Sequence, residues 1–148
     1  MKIPINKNRR WVSNLHASIS QLEDTQKVSI MKEAGTDCVN DLLVLCESYL
    51  ERPIETVEDL VNGWNALRNA RQLKGGWTLE NGLAHGIFHE CGCPLVRSGL
   101  IDLHPVQCLC SLGMMEIIFS KVTSKTVTVE SRRTIGNGDD VCEFIVTL

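Results

Sequence analysis

Apolar residues in the first half of the chain recur at helical spacing. Between residues 11 and 50, Leu15, Ile19 and Leu22 fall four and three apart, the repeat of one helix face. Gly35 interrupts the pattern. A second stretch opens at Asp37, with Val39, Leu42, Leu43, Cys46, Tyr49 and Leu50 on a shared face. Asp37 is placed to cap it, its carboxylate accepting from free backbone N–H groups. Arg52-Pro53 ends the stretch, because proline lacks the N–H that continues the helical ladder. Residues 56–70 carry a further stripe of Val57, Leu60, Val61, Trp64 and Leu67, opened by Thr56 and Asp59 at capping-box spacing. Lys74-Gly75-Gly76 then reads as a flexible joint.

Beyond residue 76 the period shortens. Residues 83–90 partly alternate and predict a strand, with 91–98 as its turn and return. Residues 109–121 predict a buried helix. Val127 and Val129 alternate with Thr126, Thr128 and Glu130, the pattern of a half-buried strand. Gly136-Asn137-Gly138-Asp139 is a strong turn signal, and residues 141–148 close the chain as a strand hairpinned to the one before. These elements predict an α+β fold in a single domain, 1–148. N-terminal helices (1–76) pack on an antiparallel sheet with one inserted helix, in a cysteine-rich part (77–148).

With 43% hydrophobic and 22% charged residues the composition is that of an ordinary globular protein. A net charge of −3 leaves no basic surplus for displacing counterions from a phosphate backbone, so no nucleic-acid partner is expected. The apolar runs fall short of the roughly 20 residues of a membrane span, so no membrane partner is expected either. Lys2, Lys7, Arg9 and Arg10 are followed by no apolar stretch, which argues against a secretory leader and for a cytoplasmic setting.

Seven cysteines, at 38, 46, 91, 93, 108, 110 and 142, change the picture. Their odd number and the absence of an export signal favour metal or thiol chemistry over a disulfide framework. Cys46, on an apolar helix face, reads as core. Cys38 and Cys142 fit either core or site. Cys91-Gly92-Cys93 and Cys108-Leu109-Cys110 are two Cys-x-Cys pairs. In extended backbone each would present both sulfurs on one face. Brought together, the pairs give four thiolates, which suit tetrahedral zinc first and an iron–sulfur cluster second. His85 and His89 lie four apart nearby. A Cys91 or Cys93 thiolate beside either imidazole, oriented by Glu90 or Asp102, would instead make a nucleophile. His16 and His104 read as surface or local structural residues, and Glu116, Arg132 and Arg133 as solvated.

The run Pro105 to Gly113 containing Cys108 and Cys110, the helix after it, the strand carrying Glu130 and the ending Gly138-Asp139-Asp140-Val141-Cys142-Glu143-Phe144 resemble the 4-vinyl-reductase-type ligand-binding domain. They are equally similar to the L-2-amino-thiazoline-4-carboxylic acid hydrolase family. The resemblance covers roughly residues 85–148. It implies an α+β domain with a pocket between helices and sheet, and a zinc held by cysteines and a glutamate. Cys108, Glu130 and Cys142 match that set. The remaining family cysteine falls on Thr134, leaving Cys110, Cys93 or Cys91 as substitutes.

The reading is therefore a small-molecule-binding or sensor-like domain with a cysteine-rich zinc site. Its expected metal ligands are Cys91, Cys93, Cys108, Cys110, Cys142, His89 and Glu130, and its expected ligand contacts Met115, Ile118 and Phe119. The alternative is a hydrolase of a small cyclic or amide substrate, using metal-bound water or a cysteine nucleophile. A protein with merely packed cysteines is the third reading. The expected partners are a small-molecule ligand and a second copy of the chain.

Overall fold

A computed structural model describes residues 4–148. Four helices come first: α1 (Ile5–Ser20), α2 (Asp24–Gly35), α3 (Cys38–Leu50) and α4 (Val57–Ala70). The break between α1 and α2 falls on residues 21–23, where the sequence carries no proline or glycine to announce it. Asp37 does not cap α3. Its backbone is already helical, at φ −61° and ψ −29°, whereas a capping side chain needs an extended residue beneath it. Thr56 is extended and does cap α4. It accepts from the Asp59 N–H at 3.1 Å, and Asp59 accepts from the N–H groups of Thr56 and Glu55 at 3.1 and 3.0 Å. The Glu55 N–H above all, with Thr56 and Arg52, holds the Asp59 carboxyl below its ordinary range.

Strands β1 (Gly75–Glu80), β2 (Leu83–Phe88), β3 (Thr128–Arg133) and β4 (Cys142–Thr147) form one antiparallel sheet in the order β1-β2-β4-β3. The expected joint at Gly75 and Gly76 is the start of β1. Asn65 of α4 fixes it there, accepting from the Trp77 N–H at 2.7 Å and donating to the Trp77 carbonyl at 2.9 Å. The expected return strand after β2 is absent among the described residues. Residues 94–97 instead form a short helix, α5 (Pro94–Arg97), begun by a proline whose missing N–H costs nothing at that position.

α6 (Cys108–Thr123) is the inserted helix, between β2 and β3 in sequence. It lies with α4 on the sheet face that carries Trp77, Phe88, Phe144 and Val146. Trp77 is the hub, its ring centroid 5.1 Å from Phe119, 5.3 Å from Phe88 and 5.3 Å from Trp64. Leu60, Ile118, Phe119, Val146 and Cys46 are fully buried around it. α2 packs backbone to backbone on α6. A Cβ at Gly35 would strike the Cys110 carbonyl, and one at Gly113 the Lys32 backbone. Lys32 and Glu116 add an ion pair of 2.8 Å across this contact. Preceded by a 3₁₀ turn (Pro105–Gln107), α6 completes a helical run of 19 residues, Pro105–Thr123, which by length and composition is sufficient to cross a membrane. Here its apolar residues pack on the sheet.

Candidate functional site

The inner sheet face and the helices do not close completely. Between them lies a cavity of about 220 Å³. Leu42, Leu45, Leu67, Met114, Met115 and Phe144 supply much of its apolar wall. Six of the seven cysteines line it as well: Cys38, Cys91, Cys93, Cys108, Cys110 and Cys142. They arrive from four separate segments, the start of α3, the loop between β2 and α5, the first turn of α6 and the start of β4.

Local structure decides how each thiol is presented. Cys108 and Cys110 are helical, so the shared face expected of an extended Cys-x-Cys pair does not apply. Two helical residues point roughly 200° apart. Cys108 accordingly faces the β3–β4 connection, where the Gly136 N–H and the Thr134 hydroxyl bond its sulfur. A Cβ on Gly136 would lie 2.5 Å from that sulfur. Thr134, the position where the resemblance lacks a cysteine, thus still borders the site. Cys110 faces the other way, towards Cys38 and Cys93, and takes a long hydrogen bond of 3.5 Å from Gln107. Cys142 accepts from the Ile135 N–H at 3.3 Å, and Cys91 from the Cys93 N–H.

Burial pushes the thiols of Cys38, Cys91, Cys108 and Cys142 up, and neighbouring sulfurs of the cavity push Cys38, Cys91 and Cys108 further in the same direction, as Asp139 does Cys142. For Cys91, Cys108 and Cys142 the backbone N–H bonds oppose that rise. At Cys142 the Arg68 guanidinium does so as well. Cys110 is pushed up to about 12, by burial first and then by Cys93, Cys38 and Cys108. Cys46 also reaches about 12 through burial, but it lies in the core away from the cavity, as its helical position predicts.

Of the residues expected to bind metal, Cys91, Cys93, Cys108, Cys110 and Cys142 come together in the cavity wall. His89 and Glu130 are not among its lining residues. Strand register explains Glu130. It stands opposite Ile145, one residue out of phase with the Val129–Val146 pair on the inner face, and its carboxylate meets Arg132 on the exposed side. Of the expected ligand contacts, Met115 lines the cavity, while Ile118 and Phe119 are fully buried in the core beneath it. Trp64 and Met114 line the cavity as well.

The imidazoles lie elsewhere. His85 Nε2 bonds Glu143 at 2.7 Å on the outer sheet face, and that bond leads Arg133 in holding the Glu143 carboxyl below its ordinary range. Asp102 pairs with Arg9. His16, expected at the surface or in a local structural role, is buried beside His104, whose Nδ1 accepts from the Val106 N–H. No thiol–imidazole pair lines the cavity among the described residues. Cys38, left open between core and site by the sequence, is a wall residue. Sequence reasoning missed the buried Arg68, which carries no local spacing signal; only the packing of α4 brings it in.

The donor chemistry suits a soft metal, since several sulfurs already accept N–H bonds, as thiolates in metal sites do. The sulfurs are not gathered: among the described residues no three Cys, His, Asp or Glu side chains are grouped closely enough to hold an ion.

Fold and site together define an α+β domain with a thiol-walled cavity between helices and sheet. By sequence the chain belongs to a family of unknown function, DUF6144, matched over residues 2–148. The suspected 4-vinyl-reductase-type family is not the one matched. No curated protein matches the chain. Among solved structures, it is similar in fold to the phenol-responsive sensory domain of the transcription activator PoxR, at TM-score 0.55 and 13% identity, covering 99% of this chain and 76% of that one. It is equally similar to a trafficking protein particle complex subunit 3 from Naegleria fowleri carrying covalently bound palmitic acid, at TM-score 0.55 and 14% identity, covering 97% and 93%.

Proposed function

We propose that this chain is a small-molecule-binding, sensor-like domain whose cavity wall takes a thiophilic metal ion, zinc before others. The observation that carries the reading is the convergence of six thiols from four chain segments on one cavity. Cysteine is often buried simply as a small apolar side chain, and Cys46 does that here. The other six line the cavity.

Cys108 and Cys142, held by N–H groups of the β3–β4 connection, and Cys91, held by the Cys93 N–H of its own loop, are the residues expected to ligate first. Cys38, Cys93 and Cys110 complete the wall. A cysteine sulfur moves by rotation about a single torsion, the motion by which the wall would gather its ligands. When bound, zinc would crosslink the segments and add its binding free energy to folding. The fold likeness to a sensory domain solved with phenol supports a ligand of about one ring, a size that also suits 220 Å³. A second copy of the chain remains the proposed assembly partner.

The test is elemental mass spectrometry of untagged protein with thiol titration and thermal unfolding. About one zinc per chain, with several thiols shielded and a melting temperature lowered by chelator, is the expected result. Absence of metal after zinc reconstitution, with the cavity thiols freely titratable, overturns the metal part.

A further inference from the structure

Arg68 is the charged cavity-wall residue, among those described, that is more than nine-tenths buried, at 6% exposure. It comes from the last turn of α4, on the face that also buries Leu60, Trp64 and Leu67. Its guanidinium carbon lies 4.5 Å from the centre of the Phe88 ring. Nη2 donates to the carbonyls of Lys74 and Glu90 at 3.2 and 3.4 Å. Nε has no hydrogen-bond partner among the described residues. Nη1 lies beside Gly92, where a Cβ would approach to 2.9 Å. The glycine of Cys91-Gly92-Cys93 therefore leaves room for the guanidinium.

No carboxylate forms an ion pair with Arg68 among the described residues. Arginine cannot escape the cost of burial by losing its proton. A buried guanidinium that borders an apolar cavity, with the Glu90 carboxylate near enough to act on it but not ion-paired, is free to take a planar anion from the cavity side. The cavity limits what that anion can carry. A cavity of ~150 Å³ accepts a benzene ring, and drug-sized sites begin near ~300 Å³. At about 220 Å³ this one fits a single ring or its aliphatic equivalent with a small head group.

We infer that the cavity binds a small monocarboxylate with an apolar body of one ring, its carboxylate held by Arg68. The inference rests on the reading of the cavity as a small-molecule site and assigns the ligand's chemical class. Leu42, Leu45, Met114 and Phe144 would take the apolar body. The competing role for Arg68 is counter-ion within the wall, to the Glu90 carboxylate first and then to the Cys142 and Cys91 thiolates.

Calorimetric titration of the full chain, zinc-free and zinc-loaded, with benzoate, benzamide and phenol separates these. Benzoate is expected to bind about tenfold or more tightly than its neutral isostere benzamide. Arg68→Gln should remove that preference and leave benzamide binding unchanged, and Arg68→Lys should restore part of it. Gly92→Ala, which crowds Nη1 without removing the charge, should weaken benzoate selectively, and it serves if Arg68→Gln does not fold. Benzamide or phenol binding as tightly as benzoate overturns the carboxylate assignment and leaves the small-molecule reading standing. Binding of none of the three overturns both. Loss of zinc affinity in Arg68→Gln with benzoate unaffected makes Arg68 a thiolate counter-ion and overturns the inference.

Discussion

The two ends of α6 are built for different purposes. Its first turns carry Cys108, Cys110, Ser111 and Met114, half-buried and facing the cavity. Its later turns bury Ile118 and Phe119 completely against the sheet. Met115 belongs to both, touching the cavity and the core. The same contrast holds for cysteine itself, with Cys46 sealed in the core and six others on the cavity wall. A single helix can therefore anchor a fold at one end and present a reactive surface at the other. Stability and chemistry should respond to substitution separately along it.

The sharpest way to break this comparison is to truncate each end. Phe119→Ala removes a fully buried ring that contacts Trp77 and Trp64, and should cost about 3–5 kcal/mol in urea unfolding. Cys108→Ala in reduced, zinc-free protein should cost no more than about 1 kcal/mol, because its sulfur borders open space. Equal losses at the two positions would show that the cavity end is packed core after all. The intermediate case is Gly113, at the boundary. A Cβ there meets the Lys32 backbone, which cannot step aside as a side chain can. Gly113→Ala should cost about 1–3 kcal/mol by overpacking, seen as a lower urea midpoint. An unchanged midpoint would mean that α2 is loosely held and that the cavity floor can shift.

Much of this division is visible before folding. Helical spacing locates α3 and α4 and alternation locates β2 and β3, because burial on one face imposes those repeats, while an apolar run marks α6 and the turn signal at 136–139 marks β4. β1 was read as a joint because Gly75 and Gly76 lack the β-branched signal, and its pairing depends on Asn65, twelve residues upstream of Trp77. The site was legible in kind and not in membership. The two Cys-x-Cys pairs pointed to it, yet their conformation decides where the sulfurs point, and residue spacing does not specify conformation. Glu130 was expected to face inward, and one step of strand register turns it outward. Arg68 reads locally as the polar edge of an amphipathic helix, and only the aromatic ring of Phe88 and the loop at Gly92 make it a buried wall residue.

The smallest expected effect concerns how α1 is fastened over the cavity end. His16 of α1 is buried beside His104, and a side-chain hydrogen bond links it to Gln107, which in turn reaches the Cys110 sulfur. Burial holds the His16 pKa below 6.5, His104 adds to that, and the Gln107 bond opposes it. Its folded pKa is thus depressed, so between the two values the unfolded chain binds more protons than the folded one. The stability it contributes is full above about 6.5 and is lost as pH falls through that value towards the folded pKa. Urea midpoints should therefore fall between pH 7 and pH 5 more steeply in the wild type than in His16→Gln, which cannot take up the proton. Carboxylates such as Glu143 are depressed as well and lose their contribution in the same direction at lower pH, but they do so equally in both proteins. The difference between the two pH profiles isolates His16. Coincident profiles would mean that α1 lifts away to let the imidazole charge in water, and the cavity end of α6 would then be more open than its packed end by that margin.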